Sequence, residues 1–153
     1  MQPERALDER ISAVISTRPG LAVVKALLSA SGLPTEDLTE GHCDHFFFAG
    51  SREAPSGVVG LEMFGGAALL RSLVVATDNR GSGVGSALVR RAEAAASANG
   101  ALAIYLLTTT AEAFFAARGY VRAARETAPP AIRATREFAD LCPASSAFMK
   151  RTL

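Results

Sequence analysis

The sequence predicts a single mixed α/β (α+β) domain over residues 1–153, with one sheet and helices packed against it. A chain of 153 residues with 49% apolar and 20% charged residues fits one globular domain. Short apolar runs fill the first half, as in a meander of strands, whereas helical spacing of apolar residues begins at Val84. The strand–helix–strand unit that follows suits a right-handed crossover between parallel strands.

The first half is predicted to contain four strands and a helix. Apolar residues in 21–31 recur at helical spacing, and residues 34–38 would add one more helical turn behind Pro34. The strand predicted over residues 67–76 is almost continuously apolar, which indicates that both of its faces are covered. The four predicted strands are residues 11–17, 46–48, 57–64 and 67–76.

The second half alternates helices and strands. A helix is predicted from Val84 to Ala98, ended by Asn99 and Gly100 as a C-terminal cap. Further helices are expected at 111–117, stopped by Gly119, and at 130–141. The remaining predicted strands are residues 102–107, 120–124 and 145–151.

Composition and charge exclude several classes of function. A formal net charge of +1 is not the basic excess of a nucleic-acid-binding surface. No run of 18 apolar residues is present, and the N-terminus does not resemble a secretion signal. Cys43 and Cys142 match no zinc or thioredoxin spacing, so we expect a cytoplasmic protein with free thiols and no bound metal.

The segment between the fourth strand and the long helix, residues 78–86, is the most informative stretch. Its alternating glycines, Gly81, Gly83 and Gly85, let backbone N–H groups approach a ligand, and the following helix N-terminus attracts anions. Arg80 adds a charge suited to phosphate. The absence of lysine argues against a nucleotide triphosphate loop, and the glycine spacing differs from that of dinucleotide folds. A pyrophosphate site is thus predicted, with a structural glycine turn as the alternative.

Arg80, Gly83 and Gly85 satisfy the pattern Arg-x-x-Gly-x-Gly, and in this the chain resembles the Gcn5-related N-acetyltransferase (GNAT) superfamily. A second motif in 108–120, Thr-x-x-Ala-x-x-Phe-Phe-x-x-x-Gly-Tyr, resembles that superfamily too. The resemblance implies acetyl-CoA as cosubstrate and a mixed sheet of about seven strands with helices on both faces. The coenzyme-binding residues that it implies are Leu73, Val74, Val75, Arg80, Gly81, Ser82, Gly83, Val84, Gly85, Ser86, Thr108, Ala111, Phe114 and Phe115.

Within the superfamily, the chain looks similar to the arsenic-resistance N-acetyltransferases. That resemblance implies a small amino-acid-like amine as substrate, such as arsinothricin or its phosphorus analogue phosphinothricin, and a compact domain of this kind is commonly a homodimer. The substrate-binding candidates are Arg71, Ser72 and Arg133. The similarity is carried by residues 69–73, Leu107, Thr108, Pro130, Ile132, Thr135, Glu137, Phe138 and residues 141–143.

Two positions depart from the family pattern. Many relatives have a tyrosine, the acid for the leaving thiolate, where this chain has Phe115, and Thr108 replaces a common asparagine. Glu62 is the candidate general base, with a solvated strand carboxylate as the alternative. Arg71 lies inside an apolar strand and should therefore have a partner. It is either a clamp for a substrate carboxylate or phosphinate, or half of an ion pair with Glu62.

Two other functions stay open at this stage. A degenerate acyl-CoA-binding sensor would explain Phe115, and it would bind the coenzyme without turnover. An arsenical- or metal-binding protein would need Cys43 and Cys142 to converge with His42 and His45.

Overall fold

The computed structural model describes residues 15–76, 83–141 and 145–153, and its central feature is a seven-stranded mixed sheet. Strands β4 (Ala67–Val75) and β5 (Ala103–Thr108) are parallel, and the other neighbouring strands are antiparallel. This arrangement confirms the predicted fold class. The strands are β1 (Ser16–Thr17), β2 (Phe46–Gly50), β3 (Pro55–Phe64), β4 (Ala67–Val75), β5 (Ala103–Thr108), β6 (Val121–Arg122) and β7 (Ala147–Thr152), in the spatial order β1-β2-β3-β4-β5-β7-β6.

Helices cover both faces of the sheet, as predicted. Strand β2 shows why the aromatic run in its sequence is core. Phe47 packs on the face covered by α3 (Val84–Ala98), while Phe46 and Phe48 pack on the opposite face with Val24 and Leu28 of α1 (Leu21–Ala30). None of the described helices is long and apolar enough to cross a membrane. The helices are α1 (Leu21–Ala30), α2 (Glu40–Cys43), α3 (Val84–Ala98), α4 (Glu112–Ala116) and α5 (Pro130–Arg133).

Two helix predictions were wrong. Residues 34–38 form a turn rather than helix, and the helix begins only at Glu40. Its start is fixed by a capping box between Thr39 and His42, which the sequence reading did not consider. The predicted helix 130–141 is interrupted after Arg133 and resumes as a π-helical turn, Glu137–Leu141. Thr135 causes the break, because its hydroxyl binds the Ile132 carbonyl and the Phe138 amide.

The remaining predictions differ from the structure mainly at element ends. The strand predicted over 120–124 contains only Val121 and Arg122, because it pairs with β7 over two residues. The first predicted strand, 11–17, lies partly outside the described residues. Helix α3 has the predicted bounds, Val84 to Ala98.

An irregularity in β4 opens the sheet. The β3–β4 register shifts between Val58 and Gly60, which gives β4 one extra residue there, and Ser72 adopts a positive φ of 58°. Pairing between β4 and β5 extends only from Ala67 to Leu69 on β4. Beyond Leu69 the two parallel strands diverge, while β5 continues to pair with β7. The divergence creates a cleft in the middle of the sheet.

Candidate active site

The cleft between β4 and β5 contains two adjoining cavities. The inner cavity has a volume of about 320 Å³ and is lined by polar residues that include Arg71, Ser72, Thr108, Glu137 and Ser146. The outer cavity has a volume of about 520 Å³ and reaches the start of α3. The two cavities share four lining residues and together form one passage along β4. The shared residues are Leu33, Leu73, Thr110 and Ala111.

The outer end of the passage meets the N-terminus of α3. Gly83 is the N-cap, with φ 87°, and a glycine has no side chain with which to cap the helix. The first turn contains no acidic residue, so its free N–H groups and the helix dipole present positive potential. Arg118 lies beside this turn, since its Nε donates to Ser86 Oγ at 2.9 Å. Arg118 is not among the residues predicted from the sequence, because it falls on one of the unspecified positions (x) between Phe115 and Gly119 of the second motif.

Some of the predicted coenzyme-binding residues on β4 and α3 line this passage. Leu73, Val74, Val75 and Gly85 line the outer cavity, together with Phe114 and Ala111. Val84 is buried in the core below it. The predicted residues Arg80, Gly81 and Ser82 lie outside the described part of the chain.

Thr108 and Phe115, the two departures from the family pattern, both line the inner cavity. Thr108 Oγ1 accepts a hydrogen bond from the Ala111 amide at 3.0 Å and so fixes the start of α4. Phe115 is buried and packs edge-on against Tyr120. Tyr120 is not a substitute acid, because its hydroxyl donates to Glu93 at 2.8 Å and burial raises its pKa, with Glu93 adding to the effect.

Arg71 is the centre of a buried ion cluster, which contains Arg71, Asp37, Glu62 and Glu137. The Arg71 side chain is 1% exposed, and its Nη2 donates to Asp37 at 2.8 Å while Nη1 also contacts Asp37. Nη1 donates to Glu62 at 3.0 Å, and Nε lies 3.3 Å from Glu137. The expected alternative of an ion pair with Glu62 is therefore present, and two further carboxylates join it.

The ion cluster keeps Arg71 and Asp37 charged. Burial opposes the charge of Arg71, but the hydrogen bond to Asp37 and the charges of Glu137 and Asp37 raise its pKa further above the ordinary value. Burial would likewise raise the pKa of Asp37, yet Arg71 and the charge of His42 hold that pKa below its ordinary 3.8. One guanidinium thus faces three carboxylates.

Asp37, His42 and Glu62 bring three possible metal-ligand atoms within 4.8 Å of one another. His42 Nδ1 accepts the Thr39 amide at 3.1 Å, which places the proton of the neutral ring on Nε2, 3.8 Å from Glu62. A protonated Nε2 is not a metal ligand, and both carboxylates already bind Arg71. The absence of a bound metal stays a prediction.

The other predicted site residues are spread around the cleft. Glu62 lines a separate surface cavity with His42 and His45, of about 310 Å³, and reaches the cleft only through Arg71. Arg133 is exposed on α5 and is not among the residues that line the described cavities. Cys43 is buried, and Cys142 lies outside the described residues. Roles for Glu62, Arg133 and the cysteines stay predictions.

A cleft between diverging parallel strands that ends at a helix N-terminus is the architecture of an acyl-CoA-dependent acyltransferase. The profile of the acetyltransferase (GNAT) domain matches residues 42–122. The chain therefore belongs to the GNAT acetyltransferase family. No curated protein sequence matches the chain significantly.

Solved structures show the same fold at low sequence identity. N-acetylglutamate synthase from Neisseria gonorrhoeae, complexed with coenzyme A and L-arginine, is 20% identical with a TM-score of 0.76 over 91% of this chain. The match covers only 32% of that synthase, so this chain spans about a third of its length. Rv2747 from Mycobacterium tuberculosis, in complex with CoA and NLQ, is 20% identical with a TM-score of 0.74, covering 92% of this chain and 99% of that one.

A third similar structure is the PaiA N-acetyltransferase from Thermoplasma acidophilum, in complex with coenzyme A. It is 13% identical with a TM-score of 0.60, and the match covers 91% of this chain and 99% of that protein. At these identities the likeness establishes the fold that the three proteins share with this chain.

Proposed function

We propose that this chain, as a single GNAT domain, transfers an acetyl group from acetyl-CoA to the primary amine of a small molecule. The observation that carries the proposal is the passage along β4, which runs from the polar inner cavity to the N-terminus of α3. It has room for a thioester arm, with an anion site at one end and a polar chamber at the other.

The coenzyme would occupy the outer part of the passage. Its pyrophosphate would lie on residues 80–86, where helix N–H groups favour negative charge. Its pantetheine arm would follow Leu73, Val74 and Val75, beyond the last residue of β4 that pairs with β5. Thr108, Ala111, Phe114 and Phe115 would form the opposite wall.

The amine would attack the thioester directly in a ternary complex. A C–N bond forms and the C–S bond breaks, the amine loses a proton, and coenzyme A leaves as a thiolate that takes up a proton from solvent. Preorganised donors at the developing oxyanion would supply about 3–4 kcal/mol. Phe115 has no proton to give, so the leaving group departs without a side-chain acid from that position. Glu62 is the candidate base for the amine, and it contacts Arg71, which lines the inner cavity.

The similarity to arsenic-resistance enzymes suggests amino-acid-like substrates such as arsinothricin or phosphinothricin. Ser72 and Arg71 line the inner cavity, where such a substrate would bind, with Arg133 as a more distant candidate. A cytoplasmic location and a homodimer belong to the same proposal.

Phe115 favours one alternative function, an acyl-CoA sensor without turnover. The coenzyme site would be the same, and only catalysis separates the two functions. Release of free thiol from acetyl-CoA should therefore be measured with a panel of small primary amines, including phosphinothricin. Thiol release that depends on the amine, with an acetylated amine as product, would support the enzyme. Acetyl-CoA binding with no acetylation of any amine would support the sensor.

A further inference from the structure

We propose that Arg118 is a binding residue for the coenzyme pyrophosphate, and that it acts both with its own charge and by positioning the Ser86 hydroxyl. This inference rests on the proposed acetyl-CoA site and deepens it, because the family motifs imply Ser86 but not Arg118. It is carried by the contacts between Arg118 and Ser86, by the packing of Arg118 on Phe114, and by the position of these side chains at the N-terminus of α3.

The first step is the place where Arg118 and Ser86 meet. Ser86 is the third residue of α3 and directly follows Gly85, which lines the outer cavity. A Cβ on Gly85 would lie 3.4 Å from the Phe114 ring, so the start of α3 and the second motif are in close contact. The first turn of α3 contains no acidic residue that would repel an anion. The two motif segments therefore meet at the proposed pyrophosphate site.

The second step concerns the Ser86 hydroxyl, which accepts from two nitrogens of one guanidinium. Arg118 Nε donates to Ser86 Oγ at 2.9 Å, and Nη2 also contacts this oxygen. A hydroxyl has two acceptor lone pairs and one proton to donate. With its acceptor sites turned towards Arg118, Ser86 has its O–H donor to offer to a ligand. A donor at a helix N-terminus suits a phosphate oxygen.

The third step concerns the Arg118 side chain, which Phe114 fixes in two ways. The Phe114 carbonyl accepts a hydrogen bond from Nη1 at 2.7 Å, and the guanidinium carbon lies 3.6 Å from the centroid of the Phe114 ring. A stacked and hydrogen-bonded guanidinium has little rotamer freedom left to lose when an anion binds. Because Phe114 lines the outer cavity, the positive charge of Arg118 is held next to the passage.

Acetyl-CoA and acetyl-dephospho-CoA form a matched pair of probes, since both contain the pyrophosphate and only acetyl-CoA contains the 3′-phosphate. In calorimetric titrations, we expect Arg118→Ala to raise the Kd for either probe at least about tenfold. Arg122→Ala removes an exposed arginine that pairs with Glu112, and it should bind both probes as wild type does. A loss confined to acetyl-CoA would assign Arg118 to the 3′-phosphate and overturn the inference.

A double-mutant cycle tests whether Arg118 positions Ser86. Ser86→Ala should raise the Kd for acetyl-CoA about fivefold, and adding it to Arg118→Ala should weaken binding by no more than about twofold further. Arg118→Lys keeps the charge without the planar pair of donors, so its Kd should lie between those of wild type and Arg118→Ala. Losses that multiply in the double variant, or wild-type affinity in Arg118→Lys, would contradict the positioning of Ser86.

Ionic strength separates a charge at the site from a residue that only supports the fold. Salt screens the attraction between Arg118 and a phosphate, so added NaCl should raise the Kd for acetyl-CoA less steeply in Arg118→Ala than in wild type. Folded Arg118→Ala with the wild-type Kd, or with a higher Kd and the wild-type salt dependence, would overturn the inference. If wild type binds neither probe, the proposed function fails and the inference fails with it.

Discussion

At the scale of the residue, Arg71 determines the character of the cleft. A buried arginine within an apolar strand signals a partner, and this much could be predicted from the sequence. Glu62 could also be anticipated, because it lies on the adjacent strand. Asp37 and Glu137 could not, since they reach Arg71 from 34 and 66 positions away along the chain through a turn and a π-helical turn. Ion clusters formed by such distant segments leave no periodic signal in a sequence.

Removing the Arg71 charge should destabilise the protein strongly. Arg71→Met would remove the buried cation that Asp37, Glu62 and Glu137 share, which we expect to lower the free energy of unfolding by about 3–5 kcal/mol at pH 7. Urea unfolding measures this loss. Arg122→Met removes a surface ion pair with Glu112 and should change stability little. Equal stability of Arg71→Met and wild type would contradict the description of the ion cluster.

Asp37 should make stability depend on acid pH. Because its pKa in the folded protein lies below the ordinary 3.8, ionised Asp37 stabilises the fold at pH values above 3.8. That contribution is lost as the pH falls through the folded pKa. The free energy of unfolding should therefore decline less between pH 6 and pH 3 in Asp37→Asn than in wild type. Asp44→Asn, at an exposed ion pair with Arg18, is the control and should keep the wild-type slope.

At the scale of the element, the close approach of β2 and β3 depends on a missing side chain. Phe46 is opposite Gly60, and a Cβ on Gly60 would lie 2.3 Å from the Phe46 ring. Since Phe46 is fully buried, the ring cannot move away without disturbing the core around α1. The glycine is thus required by packing between strands rather than by backbone conformation.

Gly60→Ala should cost roughly 1–3 kcal/mol of stability through overpacking, with a lower thermal midpoint. Gly66→Ala provides the matched control, because a Cβ there meets no atom within 4 Å, and the substitution should be close to neutral. If the two variants melt at the same temperature, the β2–β3 contact described here is wrong.

Elements with strong local signals were predicted well. Helix α3 has helical apolar spacing and the C-terminal cap Asn99, so its bounds follow from local chemistry. Helix α2 was missed because its four residues form a capping box with little periodicity. The helix predicted over 130–141 is interrupted at Thr135, because the Thr135 hydroxyl competes for backbone hydrogen bonds. The spacing of apolar residues does not reveal this competition.

At the scale of the whole molecule, the divergence of β4 from β5 links the parts of the site. The family resemblance implied a mixed sheet and coenzyme-binding residues at 73–75 and 80–86, and the structure has the sheet and a cleft beside β4. The inner cavity depended on segments that the sequence did not bring together, including Glu137 and Ser146. Local sequence motifs therefore point to the proposed coenzyme site, but they do not point to the proposed substrate site.

The most direct test of the account is calorimetric titration of acetyl-CoA into wild type, Gly83→Asp and Gly65→Asp. Both glycines have positive φ, 87° and 63°, so the two variants share the added charge and similar backbone strain. Only Gly83 caps α3 at the proposed pyrophosphate site, whereas Gly65 occupies an open hairpin turn. We predict binding by wild type and Gly65→Asp, and at least about a tenfold loss of affinity in Gly83→Asp. Equal affinity in all three, or no binding by wild type, would contradict the proposed coenzyme site.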